Sequence, residues 1–189
     1  PEAVQQTKVV EEMNIQIPRL MLGFKNVPQQ ASKEVFMKRD IEMTFFFEMV
    51  LGEETDFYQN LLNKGLIDDT FGYQFVLEPS YSFSLITSST PDPDKLKSLL
   101  LDELKAKVGN LEDEEAFELL KKQFIGEFIS SLNSPEYIAN QYTKLYFEGV
   151  SLFNMLDIVD SITLESINEA AEKSLNFDQI ADSRLEIKK

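Results

Sequence analysis

The 189-residue chain contains no histidine, no cysteine and no tryptophan. Without cysteine it forms no disulfide and offers no thiolate nucleophile, which fits a cytoplasmic protein. Without histidine it holds no Ser–His–Asp triad, no Cys–His pair and no ordinary zinc site. Glycine is scarce, at 7 residues, and Gly23, Gly52 and Gly65 lie too far apart to form a phosphate loop. No apolar run approaches the roughly 18 residues that span a bilayer. The beginning also lacks the basic-then-apolar order of a signal peptide. Positive charge is in deficit: 18 Lys and Arg face 33 Asp and Glu, a formal charge of −15. Such a surface repels phosphate backbones and anionic lipid, so the expectation is no nucleic acid and no membrane partner. The first residue is Pro1 rather than Met, which reads as the start of a piece cut from a longer parent.

What is present is apolar mass. Hydrophobic residues make up 43% of the chain and include 15 Phe, ample for one core of ordinary size. Residues 1–17 read as a linker or an edge strand from a preceding domain, and 18–189 as a single α+β domain. In RLMLGFKN, Leu20, Leu22 and Phe24 alternate with Met21, Gly23 and Lys25, the period of two that marks a strand. From Ser32 the period lengthens through Phe36, Ile41, Phe45 and Met49, predicting a long helix closed by Gly52. Thr55 caps a shorter helix with Phe57, Leu61 and Leu62 on one face, stopped by Gly65. The runs FGYQFVLE (71–78) and YSFSLITS (81–88) are separated only by Pro79 and Ser80, which predicts an antiparallel hairpin.

Asp92 and Pro93 then open a helix as N-cap and first position. Glu112 to Glu115 form an acidic first turn, which the helix dipole favours. Phe117, Leu120, Phe124 and Phe128 follow at helical spacing, with Ile125, Ile129 and Leu132 widening the stripe. At Asn133-Ser134-Pro135 one helix ends and another begins, with Ser134 as cap and with Ile138, Tyr142 and Leu145 expected to be buried. Shorter helices are predicted around 152–159 and 163–175, and SRLEIK (183–188) reads as a closing strand. Strict strand–helix alternation is absent. The fold class that results is α+β, a mainly antiparallel sheet with a helical layer packed on one face.

Candidate chemistry is limited to carboxylates, Lys, Tyr and Ser. Glu53-Glu54, Asp68-Asp69 and Glu112 to Glu115 have the composition of paired-carboxylate or hard-metal sites. Solvated turns and dipole compensation account for them equally well, and adjacent carboxylates in a helix do not share a face. Phe45, Phe46 and Phe47 cover most of a helix circumference, so they pack on two faces or meet a partner. Tyr137, Tyr142 and Tyr146 are expected to be buried with satisfied hydroxyls. Gly126, inside a helix, suggests close approach of a neighbouring element.

The ordered series RLMLGFK (19–25), RDIEMTFFFEMVLG (39–52), FYQNLLNKGLIDDTFGY (57–73), DPDKLKSLL (92–100) and KKQFIGEFISSLNSPEYIANQY (121–142) resembles the second domain of insulinase/pitrilysin-type zinc peptidases. It is most similar to bacterial processing-protease-like members associated with elongation factor P modification. The resemblance covers about residues 18–175. It implies the LuxS/MPP-like metallopeptidase architecture: two similar α+β halves that close like a clamshell on an unfolded peptide. Zinc is then expected in the N-terminal half, on His-x-x-Glu-His, and no cofactor in this one. The implied partners are that N-terminal catalytic half and a peptide substrate, with homo- or hetero-dimers among the implied assemblies. Many active members carry an Arg followed seven residues later by Tyr, which positions substrate. Here Asn63 stands where the Arg is expected, Lys64 follows it, and Tyr73 comes ten residues on. The resemblance makes Tyr73, Asn63 and Lys64 candidate substrate contacts. The departures favour an alternative, a catalytically inactive homologue serving as scaffold or partner subunit. An unrelated binding module is the third reading.

Overall fold

The computed structural model describes residues 3–26, 31–78, 80–148 and 151–188. Five strands form one sheet in the order β1-β5-β2-β4-β3, where β1 is Lys8–Met13, β2 Arg19–Asn26, β3 Gly72–Glu78, β4 Tyr81–Ser89 and β5 Ile180–Ile187. All pairs are antiparallel except β1 with β5. The predicted hairpin is the β3–β4 pair, with Glu78 opposite Tyr81. Residues 8–13 take the edge position beside the closing strand.

Among the described residues seven α-helices form the layer on one side of the sheet: α1 Lys33–Leu51, α2 Asp56–Asn63, α3 Pro93–Lys107, α4 Glu114–Ser131, α5 Pro135–Glu148, α6 Met155–Asp160 and α7 Leu164–Ser174. A 3-10 turn at Leu152–Asn154 precedes α6. Their starts lie where the capping residues fall. Ser32, Thr55, Asp92, Asp113 and Thr163 each accept a first-turn backbone N–H, which satisfies donors that a helix end leaves orphaned. At the α4–α5 junction the Ser134 hydroxyl accepts from Tyr137 N at 3.2 Å. Among the described residues no helix is long and apolar enough to cross a membrane.

The core lies between the sheet and α1. Leu20, Leu22 and Phe24 of β2 and Ile86 of β4 face it, and Phe45, Phe46 and Phe47 are all buried within it. α1 touches β3 on one side and α2, α3, α4, α6 and α7 on the others, which explains why three consecutive Phe can be buried. Phe45 meets Phe124 of α4 edge-on at 5.4 Å, and Phe47 stacks on Tyr73 of β3. A smaller cluster of Phe128, Leu145 and Leu152 joins α4, α5 and the 3-10 turn.

Several local expectations are corrected. Leu62 turns to solvent, because Leu61 alone meets the core from the end of α2. Ile129 of α4 is exposed as well, and so are Ile138, Tyr142 and Tyr146, since α5 packs mainly through Leu145 and nothing described covers its other flank. Tyr142 and Tyr146 instead stack on each other at 6.0 Å. Gly126 has no neighbour for an added Cβ to meet, so no close approach explains it. Gly52 does cap α1 as expected, in an extended conformation with φ −64°. Its missing Cβ matters because that atom would fall on the carbonyl oxygen of Glu48.

Candidate functional site

The alternation of β4 decides what the sheet offers. Ser82, Ser84, Ile86 and Ser88 face the helices and are buried, while Tyr81, Phe83 and Leu85 point to the opposite face. This reverses the usual apolar-in, polar-out order of an antiparallel strand. Register places Val76 and Lys25 beside Phe83, and Gln74 and Gly23 beside Leu85, with Ala181 beyond Gly23. The helix-free face is therefore mixed, with Phe83, Leu85, Val76 and Met21 around small residues and Lys25, Gln74, Thr87 and Ser183 among them. Residues 3–6 lie against it, with Val4 N donating to Gln179 Oε1 at 2.8 Å and Lys25 Nζ to the Ala3 carbonyl at 3.1 Å. Between them is a crevice of about 390 Å³ bordered by Gly23, Phe83 and Ala181.

Tyr73 lies near the start of β3. Its ring stacks on Phe47 at 5.4 Å with planes 26° apart, and Phe71 meets it edge-on at 6.3 Å. Tyr58 of α2 extends the aromatic row through Phe71. Burial is the largest influence on the Tyr73 phenol and raises its pKa; the neighbouring Glu48 carboxylate and the charge of Glu53 raise it further. The surroundings of this hydroxyl are acidic where an Arg would have made them basic.

Asn63 is the last residue of α2 and Lys64 its C-cap, both exposed. The helix closes with Gly65 at φ +64°, the left-handed conformation glycine favours, and Leu66 N donates to Leu61 O at 3.0 Å. The chain then dips inward, burying Leu66 and Ile67, and turns on Asp68, whose Oδ1 accepts from Thr70 N at 2.9 Å. Thr70 in turn ties this loop to the end of β4, accepting from Ser89 N at 2.8 Å. This inward loop separates the two polar residues from Tyr73 along the chain. No described hydrogen bond or ion pair joins Asn63 or Lys64 to Tyr73.

The charged cluster between β5 and α3 has no local signature in the sequence. Arg184 and Asp182, two apart on one face of β5, form a buried pair that Lys97 and Asp94 extend. Only a register with period two, known after the strand was placed, could have brought them together. No group of three metal-ligating side chains occurs among the described residues, and zinc's usual nitrogen and sulfur donors are missing from the whole chain. The residues present do not fit a zinc ion.

Comparison with known proteins agrees with this geometry. A family model described as the peptidase M16 inactive domain matches residues 1–124. An uncharacterized zinc protease, YmfH of Bacillus subtilis (strain 168), is 35% identical over 184 residues, 95% of this chain and 42% of its own length. A solved structure described as an M16-like peptidase from Alicyclobacillus acidocaldarius superposes with a TM-score of 0.88 at 25% identity, over all of this chain and 45% of that one. The inactive peptidase domain of a zinc protease from Bordetella parapertussis shares the fold, with a TM-score of 0.70 at 15% identity over 95% of both chains. The chain thus spans less than half the length of the Bacillus and Alicyclobacillus relatives.

Proposed function

The chain belongs to the peptidase M16 inactive-domain family, and on that premise we propose that it is the non-catalytic half of a zinc-dependent metallopeptidase. In this reading it closes a chamber against an N-terminal half that holds the zinc, and it helps to grip unfolded peptide. The observation that carries the reading is the helix-free sheet face, where Phe83, Leu85, Val76 and Met21 lie around Gly23 and Ala181. The apolar side chains of this mixed face suit a covering partner or an extended chain. Tyr73, which projects from β3 to the helix side against Phe47 and not onto this face, is the proposed substrate contact at the sheet's end, with Asn63 and Lys64 as secondary ones. Lys64, a point charge on a flexible stem, cannot reproduce the fork of an arginine.

A second reading has its own support. Asn63 stands in place of Arg, and the Tyr73 hydroxyl lies among Glu48 and Glu53 rather than beside a cation. Those features favour an inactive homologue in which this half is a scaffold or partner subunit. The residues encoded upstream separate the two: an intact His-x-x-Glu-His supports the peptidase, and its loss supports the scaffold. Incubating the pure chain with zinc and unfolded peptide tests what both share. No cleavage is expected, and zinc-dependent hydrolysis by the chain alone would refute both.

A further inference from the structure

We propose that the outer edge of β3 is a docking strand for an extended, positively charged stretch of polypeptide, which pairs with it backbone to backbone. The inference rests on the reading of this half as a grip for unfolded peptide, and it says where and how the peptide is held.

β3 is the last strand of the sheet and pairs with β4 on one side only. Among the described residues no strand lies beyond it, and no described backbone hydrogen bond joins Gly72–Glu78 to any element other than β4. None of its seven residues is buried, whereas Ser82, Ser84, Ile86 and Ser88 of the neighbouring strand are.

The two edges of this sheet are built differently. An edge strand exposes backbone donors and acceptors that template another chain, and proteins blunt it with charge, proline or bulges. β1, the opposite edge, reads KVVEEM, with Lys8, Glu11 and Glu12 at three of six positions. β3 reads GYQFVLE, with a single charge, Glu78, at its end. Its pairing runs one residue against one, from Gly72 opposite Thr87 to Glu78 opposite Tyr81, so no bulge interrupts it. Lysine and proline are absent from it. Alternate residues of such an edge turn N–H and C=O outward, and only an extended backbone matches that row.

Charge selects among extended chains. Glu48 and Glu53 act on the Tyr73 hydroxyl at the start of β3, and Glu78 closes the other end. Asp69 adds its charge at Tyr58, one ring away through Phe71. A second copy of this chain, at −15, would bring the same acidic ends to the edge, so a cationic peptide is the matched occupant. Register fixes its side-chain pattern too. Tyr73, Phe75 and Leu77 point to the helix side and Gln74 and Val76 to the other, so an added strand sets apolar residues beside them and cations at its ends.

NMR titration of the ¹⁵N-labelled 189-residue chain tests this, with the heptapeptide Ac-KTVTVTK-amide as probe at low salt. Saturable shifts of alternate amides within Gly72–Glu78, with slowed hydrogen exchange there, are expected. Two control peptides should bind weaker by about tenfold: Ac-ETVTVTE-amide, and the basic peptide with its three central amides N-methylated. Gln74→Lys, which guards an exposed edge position, should weaken binding by about threefold. No saturable shift, shifts confined to the helix-free face around Phe83 and Leu85, either control binding as well as the probe, or unchanged binding to Gln74→Lys would overturn the proposal. Dimerisation of the chain through the β3 amides, seen by sedimentation, would overturn it as well. The wild-type titrations decide by themselves should the variant fail to fold. None of these readouts involves zinc or cleavage, so failure at β3 and failure of the peptidase reading show separately.

Discussion

Arg184 holds Asp182 through two hydrogen bonds of 2.7 Å, from Nε to Oδ1 and from Nη2 to Oδ2. Lys97 Nζ reaches the same carboxylate at 2.9 Å, and Asp94 accepts from Arg184 at 2.8 Å on the solvent side. Through Lys97 and Asp94 the pair fastens α3 to β5, Lys97 and Asp182 lying 85 residues apart in sequence.

Removing Asp182 should therefore be costly. Asp182→Asn leaves a buried guanidinium short of its counter-charge, and a loss of about 3–5 kcal/mol is expected from urea unfolding. Burial pushes the Asp182 pKa up, but the hydrogen bonds from Arg184 and Lys97 outweigh it and hold the group below its ordinary 3.8. The folded pKa is depressed, so the contribution is complete above pH 3.8 and disappears as pH falls through the folded value. The wild-type acid-unfolding curve should steepen there, and that of Asp182→Asn should be flatter.

Glu42 gives the opposite sign. Burial between α1 and α7 raises its pKa above 4.5, against the pull of the Ser166 hydroxyl, Lys38, Arg39 and Lys173. The folded state then binds the extra proton, so stability declines as pH rises from 4.5 through the folded value. Relative to wild type, Glu42→Gln should gain stability between pH 4 and pH 7, as read from thermal unfolding across that range.

Glycines at two kinds of position should respond differently. Gly126 sits in α4 with open space where a Cβ would be, so Gly126→Ala should stabilise by about 1 kcal/mol through helix propensity. Gly65 has φ +64°, and Gly65→Ala should cost about 1–2 kcal/mol in backbone strain. Urea midpoints of the two variants should move in opposite directions.

Tyr73→Phe keeps the stack on Phe47 and removes only the hydroxyl. Because burial and Glu48 raise the phenol's pKa above its ordinary 10.0, the stability it confers is complete below pH 10 and fades as pH rises beyond it. Wild type should weaken above pH 10, and Tyr73→Phe should lose less over the same interval. Alkaline unfolding monitored by circular dichroism checks this.

Legibility followed the range of the interaction. Ser32, Thr55, Asp92, Asp113 and Thr163 act within one turn of themselves, so helix starts could be read directly. The strand alternation of RLMLGFKN and YSFSLITS was equally local. Which side would be buried was not, and β4 turned its serines inward because α1 covers that side. Leu62, Ile138 and Tyr142 carry core-type side chains whose covering element the sequence does not announce. The Arg184–Asp182–Lys97 cluster depends on packing between distant segments. Of the candidate site, Tyr73 is proposed from a family pattern alone; its acidic neighbours came only with the packing around its ring.

The central claim, that this half encloses and orients while another half cuts, is tested most directly by reconstitution. The proposed zinc-binding half is expressed separately, supplied with zinc, and assayed on an unfolded peptide with and without the 189-residue chain. The account predicts negligible turnover by either half and clear turnover by the mixture, reduced when Phe83→Asp disrupts the helix-free sheet face. Full activity of the proposed zinc-binding half alone, unchanged by adding this chain, would contradict it.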